Sequence, residues 1–197
     1  MHYDIIHFME EDKPQINLDE LTIQVSKVLS IITNNSDREG IVETPVRNAK
    51  FYKDFLERKP FKLTSFEAEG FDQMITQTKI PFYSLCEHHM VPFFGYATVS
   101  YVPKGKIVGL SKLTRTVGYF SHDLQNQERI TMQIANFLNE RLKPRGVAVS
   151  LTGRHMCMEM RGVEKTGTNT TTTYLLGCYK DDPKTRSEFM TAISVNG

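Results

Sequence analysis

Residues 73–103 read QMITQTKIPFYSLCEHHMVPFFGYATVSYVP. Within them QMITQTKIPFYS and YATVSYVP alternate and are rich in β-branched or aromatic side chains, so both read as strands. Between the strands, SLCEHHMVPF at 84–93 sets Cys86, Glu87, His88, His89 and Met90 in succession. The whole chain holds only three cysteines and six histidines. Cys86 and His89 are separated by two residues, a spacing that lets a thiolate and an imidazole close on one ion from a turn or strand end. His88, between them, is expected to point away from the direction that aims His89 inward. Taken alone, a Cys-x-x-His pair stays open as an incidental or structural feature.

Outward from this stretch the organisation is helices, strands, a long helix and strands again. Leu21, Val25, Val28, Leu29 and Ile32 recur at helical spacing from Leu18 to Ile32. TPVRNAKFYKDFLER announces a second helix, with Thr44 as cap, Pro45 at the first helical position and Arg47 in the first turn. Lys104-Gly105-Lys106 reads as a turn. A helical stretch is expected from about Leu113 to Leu142, ended by Pro144 and Gly146. GVAVSLTGRHMCMEMRGV and TNTTTTYLLGCYK read as strands, and Asp182-Pro183 opens a C-terminal helix. This order predicts an α+β architecture, an antiparallel sheet with helices on one face, preceded by a helical region over residues 1–60; residues 61–197 form the rest of a single structural unit.

The chain's 197 residues allow a sizeable core, and 40% hydrophobic with 24% charged residues is ordinary for a soluble globular protein. A formal net charge of +1 gives no global attraction to nucleic acid or to an anionic membrane, so an anion would be held by a local basic cluster. No apolar run approaches a bilayer span, and the acids in MHYDIIHFMEEDK argue against a signal peptide. Three cysteines make a poor disulfide framework and favour a reducing, cytoplasmic address.

His155 and Cys157 repeat the sulfur-and-imidazole theme far along the chain, and on a strand they would share a face. If Cys86, His89 and Cys157 bind zinc, the fourth tetrahedral position is left for water or substrate. Two thiolates would cancel the charge of the ion, so its water would be less acidic than in a three-histidine site and would need a nearby base and acid. His88 and His155 suit that task. The absence of His-Glu-x-x-His and Pro-Cys-x-x-Cys argues against zinc peptidases and nucleobase deaminases. Lys112 and Arg115, three apart at a helix start, make a seat for phosphate. Arg161 and Arg47 are further candidates, each alternatively a solvated surface charge. Without a P-loop, a nucleotide would be held by side chains. The Glu128 carboxylate can accept two parallel hydrogen bonds from guanine, or stand as plain helix surface.

Taken together, TPVRNAK, SLCEHHMVPF, GLSKLTR, LQNQERIT and RHMCMEMRGV resemble GTP cyclohydrolase I in order and spacing, over nearly the whole chain from about Leu18. The resemblance implies a tunnelling-fold (T-fold) domain and a homodecamer of two pentamers with active sites at subunit interfaces. It implies zinc on Cys86, His89 and Cys157, and His88 with His155 as the acid/base pair. Glu128 with Gln127 would anchor guanine; Lys112, Arg115, Arg161 and Arg47 would grip the triphosphate, with Ser111 near the ribose. The implied reaction is hydrolytic opening of GTP at C8, loss of formate, and re-closure to 7,8-dihydroneopterin triphosphate, the first step of pterin and tetrahydrofolate biosynthesis. Two other readings are a GTP-opening enzyme that stops at a formylamino-pyrimidine, and a non-catalytic assembly with structural zinc. Residues 1–17 match nothing in the family, and Cys178 and His122 are expected to be core and surface residues.

Overall fold

Asn17 opens the first helix by accepting the backbone N–H groups of Asp19 and Glu20 on its side chain, both at 3.1 Å. In the computed structural model residues 15–196 are described, and the N-terminal stretch read as carrying no signal peptide lies outside them. The chain divides into two compact units at the Pro60–Phe61 junction. The N-terminal unit contains α1 (Leu18–Ile32), α2 (Glu39–Val42) and α3 (Thr44–Leu56), with α1 packed on α3. Helix α3 starts one residue earlier than the sequence suggests. Glu43 is its cap residue, without a side-chain bond, and Thr44 is already helical ahead of Pro45. Of the apolar stripe on α1, Leu21, Val25 and Leu29 are half-buried, while Val28 and Ile32 stay exposed.

The second unit is built on β2 (Ile75–Cys86), β3 (Pro92–Val102), β6 (Gly146–His155) and β7 (Thr170–Gly177), with the two-residue β5 (Leu124–Gln125) at one edge. Strand order is β5-β2-β3-β6-β7. Every pairing is antiparallel except β2 with β5, where Leu85 and Cys86 run parallel to Leu124 and Gln125. A separate ribbon pairs β1 (Ser65–Glu67) with β4 (Lys106–Val108). Ile80, Phe82, Ala97, Val99, Val149 and Leu151 alternate onto one buried face. Against the sheet on this side lie α4 (Leu110–Ser121), through Leu113 and Val117, and α5 (Gln127–Leu142), through Ile130, Ile134 and Leu138. The other face carries exposed Tyr83 and Tyr96 toward one end. Toward its far end Val102 and Ala148 are covered by Tyr179 of α7 (Cys178–Asp181) and Phe189 of α8 (Pro183–Asn196). There the Tyr179 hydroxyl meets Ser100 Oγ at 2.6 Å.

Other sequence expectations change as well. The helix read from Leu113 to Leu142 is two helices, because His122 ends α4 and residues 124–125 peel off to pair with β2. Asn126 then restarts the chain by accepting Arg129 N–H on its side chain at 2.8 Å. His122, expected on the helix surface, is instead the half-buried residue at the helix end. The strand read through RHMCMEMRGV stops at His155 and gives way to the helical turn α6 (Met156–Glu159). The twin bond from Arg154 to Glu159, at 2.8 and 2.5 Å, ties that turn back to the strand end. His155 and Cys157 therefore do not share a strand face.

Candidate metal and catalytic site

Cys86, His88, His89, Gln127, Glu128, His155 and Cys157 all belong to one end of the sheet, where β2 stops, β3 begins, β6 stops and α5 begins. The link from β2 to β3 is a tight turn: Met90 N–H reaches Cys86 O at 2.8 Å and Cys86 N–H reaches Val91 O at 2.9 Å. Met90 closes it in the left-handed region at φ 56°. This turn leaves Cys86 buried and presents His89 at the surface. The α6 turn brings in Cys157. Ligand atoms of Cys86, His89 and Cys157 all lie within 4.8 Å of one another. Cys86 Sγ and His89 Nδ1 are 3.7 Å apart, against about 3.6 Å for sulfur and nitrogen on one tetrahedral zinc. The donor set, two thiols and one imidazole, fits such an ion. Burial first, and then the neighbouring Cys86, push the Cys157 thiol up; a cation between the sulfurs reverses that logic by favouring both thiolates. All three cysteines are free of disulfides.

His88 does not turn away from the cluster as the spacing suggests: its Nδ1 is also 3.7 Å from Cys86 Sγ, while the ring is largely exposed. The reason is that the link is a compact turn, in which neighbouring side chains do not alternate as they do on a strand. His155 is held more firmly. Its ring stacks on Phe93 with centroids 4.8 Å apart and planes within 6°. Its Nε2 is 3.0 Å from Gln127 Oε1. Gln127 is itself buried, and its amide nitrogen donates to Leu151 O, Thr170 O and Thr172 Oγ1 at 2.9–3.1 Å. Those three acceptors fix which end of the amide faces the ring. Gln127 thus offers oxygen, His155 Nε2 carries the proton, and Nδ1 of the neutral ring is left as the acceptor. Burial lowers the pKa of His155, opposed by the nearby Glu128 carboxylate.

The space for this arrangement depends on Gly153. A Cβ there would sit 2.9 Å from Gln127 Oε1 and 3.0 Å from Phe82 Cζ. Gln127, grouped with Glu128 from the sequence, is thus a buried residue facing His155, while Glu128 is exposed in the first turn of α5. Ser111 and Lys112 open α4, with Arg115 one turn on; Ser111 and Arg115 are exposed and Lys112 is half-buried. Arg161 follows α6 and places Nη1 2.8 Å from His89 Nε2. Arg47 is exposed in the first turn of α3, in the N-terminal unit. Sequence reasoning overlooked Glu87 and Arg129, whose side chains meet across the site's edge; the acid beside two ligands was the available signal.

The sequence profile of the GTP cyclohydrolase I family matches residues 21–194. The bifunctional protein FolKE of Lactococcus lactis subsp. cremoris is 44% identical over 196 residues, spanning 95% of this chain and 55% of that protein. The chain thus spans about half the length of that bifunctional relative. GTP cyclohydrolase 1 of Latilactobacillus sakei is 44% identical over 92% of this chain and 97% of its own length. GTP cyclohydrolase 1 of Deinococcus radiodurans is 45% identical, over 92% and 85%. With these matches extending along nearly the whole chain, the chain belongs to the GTP cyclohydrolase I family.

Proposed function

We propose that this chain is a zinc-dependent hydrolase that opens the imidazole ring of GTP at C8, releases formate and forms 7,8-dihydroneopterin triphosphate. The observation that carries the reading is the convergence of Cys86, His89 and Cys157 beside a histidine whose ring is set by stacking and by Gln127. Cys86, His89 and Cys157 would hold the ion, which when bound supplies a Lewis acid for hydration of C8. His155, with Nδ1 free to accept, takes a proton and returns one as the ring opens. The exposed His88 exchanges protons between the site and solvent. Glu128 accepts the two adjacent donors of the guanine edge, a pairing adenine cannot offer. Lys112, Arg115 and Arg161 bind the triphosphate and keep opened intermediates in place, with Ser111 at the ribose. Arg47 is assigned to the same grip by family resemblance alone.

Assembly into a homodecamer of two pentamers belongs to this reading, and the short edge strand β5 and the edge strand β7 are where sheets of neighbouring subunits would join. A light-scattering mass near one subunit would end that part of it. No helix among the described residues is long and apolar enough to cross a membrane, and the free cysteines accord with a reducing, cytoplasmic address. The reaction is tested by incubating the zinc-loaded protein with GTP, oxidising and dephosphorylating the product, and measuring neopterin fluorescence with formate release. One formate per neopterin is expected. No neopterin from protein with stoichiometric zinc overturns the reading, and a ring-opened product that keeps its formyl group replaces it with the formylamino-pyrimidine reaction.

A further inference from the structure

Glu87 stands between two residues of the cluster, Cys86 and His89, yet its carboxylate is committed elsewhere. Arg129 donates to it twice, Nη1 to Oε2 at 2.6 Å and Nη2 to Oε1 at 3.1 Å. Asn126 Nδ2 adds a third bond to Oε1 at 2.9 Å. Asn126 uses its other side-chain atom, Oδ1, to accept Arg129 N–H at 2.8 Å. The backbone reinforces the junction, since Glu87 N–H donates to Gln125 O at 3.0 Å. Three residues from two distant stretches thus close a ring of hydrogen bonds around the first turn of α5.

That turn also carries Gln127, which orients His155, and Glu128. On the other side of the junction is the Cys86–Met90 turn, with two members of the sulfur–imidazole cluster. The backbone pairing of Cys86 and Glu87 with Gln125 joins the turn to the residue before the cap of α5, while His88 Nε2, 3.9 Å from Glu87 Oε1, is too far for a hydrogen bond. A forked guanidinium–carboxylate pair is directional, so it specifies distance and angle together.

We propose that Glu87, Arg129 and Asn126 are positioning residues: a clamp that sets the Cys86–Met90 turn against the start of α5, and so sets the metal cluster relative to His155 and Glu128. The clamp rests on the proposed function for its catalytic consequence, but not for its effect on metal binding. It also assigns Glu87 away from the metal, leaving Cys86, His89 and Cys157 as the ligands supplied by the chain.

The test uses the full chain with Glu87→Gln, Arg129→Gln, Arg129→Lys and the Glu87→Gln/Arg129→Gln double variant. Each is loaded with Co²⁺ and followed by its visible spectrum, by competition with a chelator, and by kcat and KM for GTP. The expected result is a full equivalent of Co²⁺ in every variant, with a shifted d–d band and roughly 10–100-fold weaker retention. The loss in turnover falls mainly on kcat, and the double variant is no worse than the worse single one, because both remove one shared contact. Arg129→Lys, which keeps the charge but not the fork, behaves like Arg129→Gln and also covers the case in which Arg129→Gln does not fold. Retention and kcat within about twofold of the unmodified protein, or losses that multiply in the double variant, overturn the clamp. If the unmodified protein turns over no GTP, the proposed function fails while the Co²⁺ arm still decides the clamp.

Discussion

Around His155 the protein has built inward: Phe93 under the ring, Gln127 at Nε2, and three acceptors behind Gln127 to hold its amide. Ser111, Arg115 and Glu128, from earlier stretches of the chain, stand exposed on the first two turns of α4 and the first turn of α5. On the proposed function, the contrast follows from what each group would do. A proton-transfer group gains from one fixed tautomer and one fixed direction. A charge that grips a flexible polyanion gains little from burial and would lose solvation by it. In that reading the braced half is set before any ligand arrives, and the exposed half would be completed by what it binds.

Variants can break or sharpen that division. The largest effect is expected for Cys157→Ala, which removes one of the two sulfurs: metal content measured by mass spectrometry should collapse and turnover fall roughly 10³-fold or more. His155→Ala should keep its metal and lose about 10²–10⁴-fold in kcat; an unchanged rate would leave the cluster purely structural. Gln127→Ala strips the oxygen from His155 and takes the amide donor from the carbonyls of Leu151 and Thr170, so the unfolding free energy from denaturant titration should fall by about 1–3 kcal/mol together with kcat. On the exposed side, Arg115→Ala should raise KM for GTP with kcat nearly kept, and shift stability by less than about 0.5 kcal/mol.

The far end of the sheet supplies the smallest expected effect on catalysis. Burial raises the pKa of Tyr179 far above its ordinary value of 10.0. The folded protein keeps this phenol neutral while the unfolded chain ionises it. The contribution is therefore complete below about pH 10 and is lost as pH rises beyond it. Tyr179→Phe should remove that part of the alkaline loss, cost about 1 kcal/mol at neutral pH through its bond to Ser100, and leave GTP turnover untouched.

What could be read from the sequence follows the range of the interaction. Cys86 and His89 declare themselves because their geometry is set within one turn, and the alternation of residues 73–103 marks β2 and β3 for the same reason. The break at residues 122–126 was hidden because helical periodicity resumes on the other side, at Ile130, Ile134 and Leu138. What interrupts it is a parallel pairing with Leu85 and Cys86, some 40 residues back. RHMCMEMR alternates like a strand, yet the Arg154–Glu159 tie favours a helical turn. The burial of Gln127 was not legible at all. Its partners Leu151 and Thr170 are carbonyls on other strands, and backbone carbonyls leave no mark in a sequence. Glu87 and Arg129, 42 residues apart, were overlooked for a similar reason, each looking like solvated charge by itself.

Zinc K-edge X-ray absorption on the purified, metal-loaded chain addresses the heart of this account. The prediction is two sulfurs at about 2.3 Å, with one imidazole nitrogen and one light atom at about 2.0–2.1 Å, and loss of one sulfur in Cys157→Ala but not in Cys178→Ala. A shell of nitrogen and oxygen alone, or one unchanged when Cys157 is replaced, would contradict it.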